Sequence, residues 1–146
     1  MEPELLFTIC SRFVLPAWLL LIFAPNWAWT RKLIFHAWIP ALLGVAYLYC
    51  MVQNFPSPEG TGFGSLAQVM AFFQLPYAAL AGWIHYLAFD LFIGAWQVRD
   101  AKRNGISHFL VIPCLILTLL AGPIGLLLYF VIRLSLVRVL TTVEGN

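Results

Sequence analysis

Apolar residues gather into four long blocks along this chain, separated by short stretches of polar, Pro and Gly residues. About 20 residues of helix cross the hydrocarbon core of a bilayer. Residues 5–24, 33–52, 76–98 and 106–132 each meet that length. Arg12 and Pro16 interrupt the first block, and His36 is the one ionisable group of the second. The third opens on a proline suited to the first turn of a helix and contains His85 and Asp90. The fourth carries Pro113 and the run Gly122-Pro123-Ile124-Gly125.

Between the second and third blocks, Asn54 through Gly64 is punctuated by Pro and Gly and reads as loop. Ser65 is placed to N-cap a short helix over residues 66–75, with Leu66, Val69, Met70 and Phe73 on its apolar face. That helix is too short to span and is predicted to lie at the interface. The expected architecture is an all-α integral membrane protein, a single helical domain over residues 1–146. It has four transmembrane helices, the fourth kinked at Gly122-Pro123, plus the short interfacial helix.

Composition agrees with this pattern. Of 146 residues, 62% are hydrophobic and 10% charged, where soluble domains average about 45–50% and about 25%. Mean hydropathy is +0.91. A soluble enzyme, a disordered tail and a secreted disulfide scaffold are excluded. A net charge of +2 from scattered residues is too small for a nucleic-acid surface. Cys10, Cys50 and Cys114 sit inside apolar runs without CxxC spacing, as small buried hydrophobes do. Glu2 and Glu4 stand where a signal peptide would carry Lys or Arg, and no transit peptide is evident.

Positive residues orient membrane helices. Arg31 and Lys32 fall in the first connection and Arg99, Lys102 and Arg103 in the third, while the start of the chain and residues 53–75 hold none. Both termini are therefore expected outside, or lumenal, with the basic loops facing cytoplasm or stroma. Trp27, Trp29 and Trp96 suit an interfacial belt. Arg133 and Arg138 run against this scheme, because four spans place them outside. A hairpin at Gly122-Pro123 would return them inside, with arms of about 16–18 residues and Arg133 about 15 Å deep. Four spans with a kinked fourth is the preferred reading, and residues 134–140 then extend it as helix.

Ionisable side chains within a membrane are costly and are functional candidates by default. Asp90 is the foremost, about 12 Å deep by helix rise. Tyr86 stacks with it at i and i+4, and Trp83, Tyr86, Asp90, Gly94 and Gln97 form one polar and aromatic seam. That seam either lines a ligand or packs against a neighbouring helix. His85 points about 140° away from Asp90, so no direct dyad is expected. His36 and His108 lie near the basic ends of their helices, but no HxxxH, ExxH or paired-carboxylate spacing appears, and no metal site is expected. Arg12 either snorkels outward, pairs with Asp90 or binds an oxygen function of a ligand. Arg99, Asp100, Lys102 and Arg103 read as a solvated loop that sets orientation. Aromatic residues make up 16% of the chain, which suits helix packing and also flat, long apolar ligands such as polyenes.

The run Ala81-Gly82-Trp83-Ile84-His85-Tyr86-Leu87-Ala88-Phe89-Asp90-Leu91-Phe92, followed by Asp100-Ala101 and Arg103, resembles the abscisic-acid-deficient-four family. So does Pro113-Cys114 through Thr118, followed by Gly122-Pro123-Ile124-Gly125-Leu126-Leu127-Leu128-Tyr129. The resemblance carries Trp83, His85, Tyr86, Asp90, Asp100 and Arg103 onto the family's motif. Plant members are plastid membrane proteins implicated as neoxanthin synthase, and without a transit peptide this chain looks like a bacterial or cyanobacterial member. The resemblance implies carotenoid (xanthophyll) metabolism, with isomerisation of a 5,6-epoxy end ring to an allenic alcohol. That reaction involves no net redox change, so no cofactor is implied. Asp90 is the expected proton donor with Tyr86 assisting, and His85 or His36 the base. Arg12, His36 and Trp83 are the expected ligand contacts. The alternative is a non-catalytic carotenoid- or lipid-binding or assembly subunit. Expected partners are the lipid bilayer, a carotenoid or other long apolar ligand, and a membrane-protein partner or second copy.

Overall fold

The computed structural model describes residues 1–138. They form six helices: α1 (Pro3–Phe23), α2 (Ala28–Leu33), α3 (Trp38–Gln53), α4 (Leu66–Phe72), α5 (Pro76–Arg103) and α6 (His108–Val137). Four stretches are long and apolar enough to cross a membrane, Pro3–Phe23, Ala28–Gln53, Pro76–Arg103 and His108–Val137. The chain is an all-helical membrane protein, as its pattern implied.

α5 is the central pillar, packed against α1, α3 and α6. Between helices already in lipid, burying apolar surface adds little, and close packing and hydrogen bonds drive association. α5 is built for that, with Ala78, Ala81, Ala88, Gly94, Ala95 and Ala101 among its buried residues. Trp18 of α1 is 2% exposed and lies over Gly94, where a Cβ would stand 2.8 Å from the indole. Leu, Ile and Phe side chains cover the outside, Phe23 and Phe109 among the most exposed.

The second span does not begin at residue 33. A break at residues 34–37 separates α2 from α3, with Ala37 left-handed at φ 57°. There the Nδ1–H of His36 donates to the Arg31 carbonyl at 2.9 Å. α4 forms as expected from its cap, the Gln68 N–H donating to Ser65 Oγ at 3.3 Å. It ends early, at Phe72, because Pro76 opens the next helix. Its buried residue is Phe72, whereas Leu66 and Met70 of the expected apolar face are exposed.

α6 breaks at Ala121 (φ −159°, ψ 68°), where the kink was expected, and the break is a reversal. A Cβ on Gly125 would fall 2.6 Å from the Cys114 carbonyl oxygen and closer still to the Thr118 backbone nitrogen. A straight helix separates residues 114 and 125 by about 16 Å. Two arms, 108–120 and 122–137, therefore lie antiparallel as a hairpin. It starts where His108 Nε2–H donates to the Ile22 carbonyl at 2.9 Å and returns to the same end, where Arg133 meets Asp100. Pro123 and Gly122 permit this at membrane depth because the freed backbone groups find partners on α5.

The reversal removes the charge conflict. Arg133 now lies at the end of the bundle that carries Arg31, Lys32, Arg99, Lys102 and Arg103. Lys102 Nζ donates to Asn26 Oδ1 at 3.0 Å, which ties the two basic connections together. At the opposite end, the Met1 ammonium donates to Tyr49 Oη at 2.9 Å, and Tyr77 Oη donates to the Met1 carbonyl at 2.9 Å. Met1 and Arg133 thus occupy opposite ends. The extension expected over residues 134–140 is helical to Val137, with Arg138 as its cap. Residues 139–146, including the rest of that extension, lie outside the described ones.

Candidate functional site

Two faces of α5 hold its chemistry. The seam facing α1 and α6 contains Trp83, Tyr86, Asp90, Gly94 and Gln97, and it packs against the neighbouring helices. Trp83 Nε1–H donates to Ser11 Oγ at 2.9 Å, and its ring lies 5.4 Å from Phe7 and 5.2 Å from Tyr86. Tyr86 Oη donates to the Leu119 carbonyl, and the Asp90 carboxylate accepts the Gly122 N–H. The two side chains, one turn apart, cap the two helix ends that meet at the hairpin apex. Tyr86 satisfies a carbonyl at the end of the first arm. Asp90 supplies an acceptor at the start of the second, where helix N–H groups lack intrahelical partners. Gly122 is required there, since a Cβ would stand 2.7 Å from Asp90 Cγ. Asp90 Oδ2 is the one buried side-chain polar atom among the described residues that lacks a hydrogen-bond partner.

Deeper toward the basic end, Gln97 is fully buried. Its Nε2–H donates to Thr118 Oγ1 at 3.1 Å and to the Gly125 carbonyl at 3.3 Å. Asp100 follows one turn later and is not part of a solvated loop as expected. It is 2% exposed and Arg133 is 4% exposed. Arg133 Nε–H donates to Asp100 Oδ2 at 2.7 Å, Tyr129 Oη donates to the same oxygen at 2.6 Å, and Arg103 stands 3.5 Å from Oδ1. The spacing of Tyr129 and Arg133, one turn apart in an apolar run, is the signal that could have exposed this cluster.

The opposite face of α5 turns toward α3 and borders a groove of about 490 Å³. Its walls are Pro40 and Gly44 of α3 and Ile84, Ala88, Phe89 and Phe92 of α5. A second cavity of about 270 Å³ adjoins it under α4, walled by Phe63, Phe72, Phe73, Met51 and Gly82 among others. Tyr47 and His85 line both cavities, so groove and cavity adjoin at this pair and together make up the α3–α5 slot. Among the described residues, they are the only polar side chains along it. Their rings lie 6.2 Å apart, and His85 stacks on Phe89 at 4.4 Å. Gly44 keeps the slot open, with nothing within 4 Å of where its Cβ would stand.

The structure thus separates the sequence-derived candidates. Asp90, Tyr86 and Trp83 share the seam, and His85 lies across the helix from them. His36 is exposed in the α2–α3 turn, bonded to Arg31. Arg12 is exposed on α1, and among the described residues no ion pair joins it to Asp90. Among those residues no group of three or more His, Cys, Asp or Glu could hold a metal ion. Sequence reasoning missed Tyr47, which one tyrosine in an apolar run does not reveal.

A family model described as ABA DEFICIENT 4-like matches residues 5–129. No curated protein and no solved structure matches the chain.

Proposed function

This chain belongs to the ABA4-like family, and from that membership we propose that it is a membrane protein of xanthophyll metabolism that binds a carotenoid in the α3–α5 slot. The reaction we propose is an intramolecular isomerisation of an epoxy-carotenoid end ring. The observation that carries this reading is the slot itself, two adjoining apolar cavities whose polar side chains, among the described residues, are confined to Tyr47 and His85. Such a site suits a long apolar ligand with one oxygenated position.

In the proposed isomerisation a proton leaves the polyene carbon beside the ring and the epoxide C–O bond opens. The oxygen takes up a proton, and no electrons are exchanged with an outside partner. His85 is proposed as the base and the Tyr47 hydroxyl as the donor on the same surface. Asp90 and Tyr86, which cap the hairpin apex, are proposed to position α5. The N-terminal end is proposed to face outside and the basic end the cytoplasm or stroma.

A second reading, a non-catalytic carotenoid carrier or assembly subunit, is favoured by one feature. Among the described residues lining the slot, no carboxylate, lysine or arginine stands beside His85.

Expression in a host making epoxy and non-epoxy carotenoids tests both. A new isomer in the extract supports the enzyme, and unchanged pigment on the purified protein supports the carrier. Absence of both rejects the slot reading. Gly44→Leu fills the slot without its Cβ meeting other atoms. It is expected to lower pigment retention about tenfold at an unchanged melting temperature. His85→Gln is expected to lower turnover about 100-fold or more while pigment still binds. If Asp90→Asn abolishes turnover in a protein that keeps its pigment and its melting temperature, the donor is Asp90 and the assignment to Tyr47 is rejected.

A further inference from the structure

The basic end of the bundle holds another cavity, of a different character. It measures about 300 Å³ and lies between the α1–α2 connection and the α5–α6 turn. Pro25, Asn26, Lys102, Gly105 and His108 border it. Unlike the slot, it is rimmed by a cation and an amide, with Lys102 Nζ held at 3.0 Å from Asn26 Oδ1.

Among the described residues, the exposed charges around it share one sign. Arg31 and Lys32 of α2 are exposed beside it in the chain, and Lys32 lies 5.5 Å from the Trp29 ring. Among the described residues, the acidic one at this end, Asp100, is buried and occupied by Arg133, Tyr129 and Arg103. It offers no exposed negative charge to offset the lysines. Glu2, Glu4 and Glu59 belong to the start of the chain and to the 53–75 connection, at the opposite end. Trp27 and Trp29 are each 53% exposed next to the cavity's Pro25–Asn26 rim. Indoles in that position sit at headgroup level with their apolar bodies toward acyl chains.

We propose that this end is a docking surface for an anionic phospholipid, with its phosphate at Lys102 and Asn26 and its glycerol region flanked by Trp27 and Trp29. Arg31 and Lys32 add long-range attraction for the negative headgroup. A zwitterionic headgroup carries its own ammonium and gains much less from this field. The occupant is a lipid and not a free phosphate ion, because the tryptophans extend the surface with apolar area that an ion cannot use.

The test is retention of lipid by the purified full chain in native mass spectrometry, offered phosphatidylglycerol and phosphatidylcholine in equal amounts. Phosphatidylglycerol is expected to be retained several-fold over phosphatidylcholine. Each cation near a membrane surface contributes roughly a fivefold preference for anionic lipid. Lys102→Gln and the pair Arg31→Gln/Lys32→Gln are each expected to reduce the preference by about that factor or more. All these groups lie at the surface, and unchanged melting temperatures identify the variants as folded. Equal retention of the two lipids by the unaltered chain overturns the proposal. So does a preference that survives both sets of substitutions, or one that inorganic phosphate abolishes as readily as phosphatidylglycerol. None of these results bears on the carotenoid reading, which concerns the slot across the bundle.

Discussion

Replacing Arg133 by Met is expected to destabilise the protein by about 3–5 kcal/mol, the cost of leaving one member of a buried ion pair without its partner. The side chains of Arg133 and Asp100 are 5% and 3% exposed and joined at 2.7 Å. Removing the guanidinium leaves the carboxylate with Tyr129 and the more distant Arg103. That support does not replace a close opposite charge. The second arm of the hairpin loses its anchor to α5 at the basic end, while the capped apex near Asp90 still holds the other end. The double substitution Asp100→Asn/Arg133→Met is expected to be milder than Arg133→Met alone. It leaves no charge buried, and the introduced amide oxygen still offers Tyr129 an acceptor. The three cysteines are free and buried, so a thiol-reactive fluorophore added during a thermal ramp reports unfolding directly. A double variant no more stable than the single would mean that the pair is not what fastens the arm.

Gly125→Ala is expected to cost about 3 kcal/mol, at the upper end for overpacking, and Gly125→Leu to prevent folding. Space is short here because the neighbours are backbone atoms. The added Cβ would meet the Thr118 nitrogen and, at 2.6 Å, the Cys114 carbonyl, neither of which can rotate away. The arms would have to part, and the bonds from Gln97 to Thr118 and to the Gly125 carbonyl would lengthen together. Gly44→Ala is the matched control, since the same added methyl enters open space and replaces a poor helix former with a good one. The same thiol-labelling ramp measures both. Equal melting temperatures for the two variants would refute the close packing of the arms.

Asp90 shows how far residue type can be read. Its depth and rarity marked it as important, and it does stand at a critical point. The alternative that the seam packs against a neighbouring helix also follows from the i, i+4 spacing of Tyr86 and Asp90, and that packing is what forms. Spacing tells which side chains share a face, as it did in setting His85 apart from Asp90. It does not tell which helix covers that face.

Environment and elements were legible in the pattern of residues along the chain. Lengths of apolar run, the Ser65 cap, the proline at the start of α5 and the break near Gly122 are local properties, set by solvation and by backbone geometry over a few residues. That the last helix doubles back, and with it the fates of Asp100 and Arg133, follows from three-dimensional packing alone. Their pairing joins residues far apart in the chain, and its favourable energy exists only when both have left water or lipid headgroups together. The slot was likewise invisible in the sequence, because a cavity belongs to the space between α3, α4 and α5 and to none of their sequences alone.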